Sequence, residues 1–211
     1  MKRISLGLVF AIAAFFLTGC FEVTDKSQLK QLVIATPLKN FSHLRLVNMT
    51  GKLPSELKEQ MECPSLVRLS SNNEYQLYKC NGKPDDEKLK FYSVPDYPNL
   101  YIVKFLEKDC EAKEECLLIT VKIQNDLAFA YMFYIGNDNF SEFLSLLESG
   151  LKDVNRLARL KALNGPKECN KGEKFCGGPI KVDSVKEMFF VANLISNDPP
   201  KSAQVWTFAI E

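Results

Sequence analysis

The sequence predicts an α+β fold: a single domain, mainly antiparallel sheet, with one long amphipathic helix packed on it and disulfide-stapled hairpins. Two patterns carry the prediction. Short apolar segments of strand length alternate with polar turns between residues 66 and 135, which is how consecutive antiparallel strands read. From Phe140 onward the apolar residues recur every three or four positions instead, the spacing of a helix that buries one face. A third observation concerns the cysteines, six of which fall into three pairs close together in sequence.

With 211 residues, 46% of them apolar and 25% charged, the chain has the profile of one ordinary globular domain rather than a disordered or polytopic membrane protein. Its 27 basic and 26 acidic residues leave a net charge of +1, too weak a field to favour nucleic acid as a partner. Seven cysteines accompany a single histidine, His43. That ratio, with no Cys-x-x-Cys, suits disulfides in an oxidising compartment better than a metal or redox site. No cofactor is expected.

Met1-Lys2-Arg3 is a cationic start, and the fourteen residues from Ile4 to Leu17 are almost unbroken apolar sequence. Spanning a bilayer takes about 20 such residues, so the run reads as an export leader. It ends in Leu17-Thr18-Gly19-Cys20. The segment resembles the signal peptide of bacterial lipoproteins, in which a lipobox of this form precedes the lipidated cysteine. The resemblance implies cleavage before Cys20, a diacylglyceryl group on its thiol and an acylated new amino terminus, with palmitate-class chains as the membrane anchor. At about 0.8 kcal/mol per buried methylene, one chain holds marginally while two or three hold almost permanently. Phe21, not aspartate, follows the cysteine, which by the sorting known for such proteins implies the outer membrane, facing the periplasm. A plain secretory signal with a chance cysteine is the alternative. The resulting organisation is a leader over 1–19, a lipidated cysteine and short tether over 20–28, and one globular periplasmic domain over 29–211. The tether would reach about 25 Å at full stretch. Losing Lys2 and Arg3 with the leader leaves 25 basic residues against 26 acidic ones, an essentially neutral domain.

Lipidation takes one cysteine and leaves Cys63, Cys80, Cys110, Cys116, Cys169 and Cys176, enough for complete pairing, although six cysteines allow fifteen connectivities. Residues 26–34 and 54–62 read as short helices. Cys63 and Cys80 then flank two apolar segments, 66–69 and 75–78, around Ser70-Ser71-Asn72-Asn73, the simplest reading being a hairpin closed at its base. Strands over 100–108 and 117–124 enclose the segment from Cys110 to Cys116. Setting Cys110 opposite Cys116 places Phe105 against Val121 and Val103 against Ile123, apolar against apolar on one face. Cys169 and Cys176 bracket a polar loop beside Gly177-Gly178-Pro179. Chain entropy makes such staples worth about 3 kcal/mol for the longer loop and a little over ~2 for each short one.

The segment 127–135, LAFAYMFYI, is apolar on both faces and predicts a strand covered above and below. Asn139 with Glu142 three residues on resembles a capping box. The helical spacing runs from Phe140 through Leu157 and Ala158 to Asn164-Gly165-Pro166, as one helix or as two separated near Gly150. Residues 188–195 and 204–210 read as strands of a final hairpin around Asn197-Asp198-Pro199-Pro200.

For chemistry the sequence offers little. His43 is the one histidine available to a nucleophile, and it sits in the alternating stretch Phe41-Ser42-His43-Leu44-Arg45-Leu46 as a structural residue would. No phosphate loop, dinucleotide fingerprint or G-x-S-x-G occurs. Asp85-Asp86-Glu87 is the densest acidic run and reads as a solvated turn, though two carboxylates are all that a glycoside hydrolase needs. Between residues 107 and 115 the acids Glu107, Asp109, Glu111, Glu114 and Glu115 face only Lys108 and Lys113, a cross-linked acidic tip that could receive a basic partner. The expected function is therefore a membrane-anchored envelope lipoprotein, a non-catalytic binding or scaffolding module for another envelope protein. Its alternatives are a periplasmic inhibitor or immunity-type protein against a cationic enzyme, and a carboxylate-dependent cell-wall hydrolase. A carrier of apolar ligands is a further expectation, whose signature would be an enclosed cavity beside the 127–135 strand.

Overall fold

The computed structural model describes residues 21–39, 42–50, 65–78, 81–106, 118–133, 135–136, 139–165 and 177–211. Thirteen strands and three α-helices are formed by these residues. The strands are β1 (Phe21–Val23), β2 (Ile34–Ala35), β3 (Ser42–Met49), β4 (Ser65–Leu69), β5 (Tyr75–Tyr78), β6 (Pro84–Ser93), β7 (Leu100–Leu106), β8 (Leu118–Gln124), β9 (Leu127–Met132), β10 (Ile135–Gly136), β11 (Gly177–Gly178), β12 (Ile180–Val182) and β13 (Gln204–Ile210). The helices are α1 (Phe140–Gly150), α2 (Val154–Leu163) and α3 (Val185–Asn197), and a 3-10 turn occupies Lys26–Gln31 within the first expected helix.

Eight strands close into an antiparallel barrel in the order β6-β5-β4-β3-β13-β9-β8-β7, with β7 returning to β6. Two strands do the closing. The last strand, β13, lies between β9 and β3, and β6, at ten residues the longest, pairs its early part with β5 and its later part with β7. Where β5 leaves off, the two-residue β2 takes over at Phe91 and Tyr92. The expected α+β sheet with one long helix is thus corrected to a closed barrel flanked by three short helices. Closing the sheet removes its edges, which an open antiparallel sheet would have to protect.

Period-two alternation sorts the side chains into two cores. Inside the barrel lie Val67, Leu77, Phe91, Val103, Trp206 and Phe208 with their neighbours. Outside β7, β8 and β9, a second layer forms between Ile102, Leu118 and Tyr131 on the strands and Phe143, Leu147, Met188 and Val191 on the helices. These three strands are therefore covered on both faces, which is why 127–135 is apolar throughout. The rest of the barrel is one-sided: His43, Arg45 and Arg68 are exposed on β3 and β4, and Lys88 and Lys90 on β6 pair with Glu74 at 3.2 and 3.7 Å. Apart from Asp85 and Glu87, buried on the inward-facing positions of β6, the interior is apolar and the exterior charged, the reverse of the plan of a membrane-spanning barrel, which is polar within and apolar without. Among the described residues no helix is long and apolar enough to cross a membrane.

The helical stretch after Phe140 is two helices parted after Gly150, the second of the two expected readings, and the Asp153 carboxylate caps α2 by accepting from the Asn155 and Arg156 amides. Two further expectations change. Residues 188–195 are not a strand but most of α3. Ser184 is its N-cap, accepting from the Glu187 amide at 3.2 Å, while the Glu187 carboxylate reaches back to the Asp183 amide at 3.1 Å. That box, followed by Val185, Met188, Val191, Ala192 and Ile195 buried at helical spacing, outweighs the strand-like apolar run. The register of the β7–β8 hairpin also differs: Val103 faces Ile119 and Tyr101 faces Val121, a slip of four from the pairing that set Cys110 against Cys116. An even slip keeps every side chain on its face, so hydrophobic pattern alone could not select between them. The β8–β9 turn is tight, with Asn125 and Asp126 both at positive φ, as a two-residue hairpin of matching twist requires.

The helical layer is fastened by polar side chains. Asn164 behaves like a strand residue toward β12, its amide donating to the Lys181 carbonyl at 2.8 Å and accepting from the Lys181 amide at 2.7 Å. β12 pairs in parallel with β1, Phe21 beside Ile180 and Val23 beside Val182, and both Phe21 and Val23 are buried. The first residues of the expected tether are thus a strand docked in the outer core.

Candidate functional site

The interior of the barrel contains a cavity of about 40 Å³ whose walls are entirely apolar. It follows from the inward residues of β9. On most strands these are large, as with Phe91 on β6, Phe105 on β7 and Phe208 on β13, whereas β9 presents Ala128 and Ala130. Its aromatic side chains, Phe129 and Tyr131, belong to the outer layer under the helices. The space lost by the small residues is not refilled. A cavity of this size has room for roughly three waters by volume, but a buried water needs two to four polar partners. With none in the lining, the space suits a hydrocarbon group.

A strap, residues 33–39, runs along β6 and past it. From it Leu38 drops its side chain into the interior, where it lines the cavity and is only 4% exposed. Tyr75, fully buried at the start of β5, holds it there. The phenol donates to the Leu38 carbonyl at 2.8 Å and accepts from the Leu38 amide at 3.1 Å. The ring is set by an edge contact with Phe91 at 5.4 Å, and Phe91 meets Tyr101 in the same way at 6.1 Å. Burial pushes the Tyr75 hydroxyl up to about 12, only partly offset by its bond with Leu38. It therefore remains a donor at every physiological pH. Ser42 adds a third tie by donating to the Lys39 carbonyl at 2.9 Å, and Ser93 holds the Val33 carbonyl through its amide at 2.9 Å.

Trp206 stands within the same core, 3% exposed and 6.5 Å from Phe208 between ring centres. As the one tryptophan of the chain, it is a built-in reporter of the lumen.

Every site residue expected from the sequence lies outside the described residues: Cys20, the cysteines 63, 80, 110, 116, 169 and 176, and the acids Glu107, Asp109, Glu111, Glu114 and Glu115. The strands that flank the 107–117 connection end at the rim away from Leu38. Asp85 and Glu87, read as a solvated turn, belong instead to β6 and are 8% and 7% exposed. His43 is exposed on β3, as a structural residue rather than a buried base. The lumen residues escaped detection by sequence, although the alternation of small and large residues in Leu127-Ala128-Phe129-Ala130-Tyr131 was the available signal. Leu38 gave none.

Compared with protein-family models, curated proteins and solved structures, the chain matches none of them.

Proposed function

We propose that this protein is a membrane-anchored, non-catalytic binding module of the bacterial envelope, and that its barrel holds a compact apolar molecule in the lumen. The observation that carries the reading is the closed ring of strands around a cavity with wholly apolar walls. A ligand there gains about 25 cal/mol for each Å² of apolar surface it withdraws from water, and a closed barrel is organised beforehand, so little ordering is lost on binding. The anchor rests on the lipobox ending at Cys20. Because Phe21 already belongs to a docked strand, acyl chains on Cys20 would tie the barrel to the bilayer with almost no slack.

Both halves are testable. Xenon, a single atom small enough for a cavity of this size, added to the intact protein in vesicles should change Trp206 emission saturably. Ala130→Leu, which fills the cavity from β9, should weaken that response at least tenfold while the protein still melts cooperatively. A response that never saturates, or that Ala130→Leu leaves intact, removes the lumen site. For the anchor, mass spectrometry of the protein from membranes should find acyl chains on Cys20, and Cys20→Ala should abolish them. An unmodified cysteine in the membrane fraction would contradict the anchor without touching the lumen.

A further inference from the structure

We infer that Leu38 is the resident occupant of the lumen site and that the external ligand enters by displacing it, which makes that ligand a small neutral molecule with a branched apolar group and one amide or hydroxyl. The inference rests on the lumen reading above. Leu38 reaches the interior from a strap that is not part of the barrel ring. The strap's only strand is the two-residue β2, and Ile34 within it and Val33 just before it are 43% and 61% exposed. Apart from Leu38 itself it buries little, and segments with so few buried contacts open locally while the rest of a domain stays folded. Lifting it leaves all eight ring ladders intact.

The chemistry of the ligand follows from what Leu38 leaves behind. Its side chain vacates an apolar space continuous with the existing cavity, where an ion or a strongly hydrated group would lose its solvation without replacement. The Tyr75 hydroxyl loses both the carbonyl it donates to and the amide it accepts from. A buried hydroxyl without partners is costly, so a ligand that offers a carbonyl or hydroxyl at that point is favoured over a pure hydrocarbon of equal shape. The molecule that best satisfies both demands resembles Leu38 itself: an isobutyl group beside an amide.

The probe is N-acetyl-leucinamide, titrated onto the intact protein in vesicles with Trp206 emission as one readout and hydrogen exchange of the Leu38 amide as the other. Three results are expected. Leu38→Ala binds the probe at least tenfold more tightly than the wild type, because no resident has to leave. Tyr75→Phe, checked for cooperative melting, loses most of the preference for N-acetyl-leucinamide over 2-methylbutane. In the wild type the probe accelerates exchange at the Leu38 amide. Equal affinity in Leu38→Ala and wild type, or an amide that exchanges no faster when Trp206 registers binding, overturns the inference. If xenon moves Trp206 while N-acetyl-leucinamide moves neither readout, the lumen site stands and displacement of Leu38 falls. If no molecule registers in any variant, both fall.

Discussion

Glu187→Ala is expected to destabilise the protein by about 3 kcal/mol, visible in calorimetry as a fall in melting temperature of roughly 10 °C. Glu187 sits on the first turn of α3 and is 3% exposed, yet its carboxylate is well supplied with donors. Arg156 approaches through Nε at 3.3 Å, Arg159 through its guanidinium, and the Asp183 amide at 3.1 Å. Arg159 also bridges to Asp183 at 2.6 Å, and the Arg156 guanidinium lies 4.6 Å above the Phe190 ring. One carboxylate therefore closes the N-terminal box of α3 and clamps α2 to it. Removing it frees the Asp183 amide, unpairs Arg156 from a buried acceptor and leaves a void beneath α2. The arginines are partly exposed, so they can re-solvate, which keeps the loss at the lower end for a broken buried pair. Glu187→Gln keeps an acceptor for the amide and should cost about half as much. Equal melting temperatures for wild type and Glu187→Ala would show that the clamp contributes nothing to the helical layer.

The second large effect is a loss of stability at high pH. Tyr75 titrates at about 12 in the folded protein, against an ordinary value near ~10 in the unfolded chain. The native state therefore keeps a proton that the unfolded state releases, so the contribution is fully present below pH ~10 and disappears as the pH rises through about 12. Two pH units correspond to at most about 3 kcal/mol. Tyr101 and Tyr131 are shifted upward by burial too, and their contributions have the same sign. Denaturant titration from pH 9 to 12 should show the midpoint falling, with a smaller fall in Tyr75→Phe, which has no proton to lose there. Hydrogen exchange should place the earliest opening at Leu38, since ionised Tyr75 can no longer donate to that carbonyl. A midpoint independent of pH, or identical slopes in wild type and Tyr75→Phe, would contradict the buried phenol as the strap's fastening.

The failure of the helix and strand assignments is confined to particular places. Six-residue stretches such as Leu127-Ala128-Phe129-Ala130-Tyr131-Met132 were legible as a strand covered on both sides because two-sided burial needs apolar residues at every position. The strand at β13 was legible from its β-branched and aromatic residues between turn signals, but its partners were not. It pairs with β9 and β3, elements far from it in sequence, and nothing local to Gln204–Ile210 encodes which edges are free to receive it. The apolar run in α3 satisfied either period, and only the Ser184 and Glu187 pairing at its start separated the two.

Local residue order, then, determined six of the eight barrel strands, β4, β5, β7, β8, β9 and β13, and the amphipathic stretch after Phe140, since each depends on neighbours a few positions apart. Closure of the sheet, the register of β7 on β8, the cavity beside Ala128 and the seating of Leu38 against Tyr75 belong to the tertiary structure alone. They arise from contacts between residues that are remote along the chain, and their free energy comes from enclosing a shared apolar interior, a property no single segment possesses.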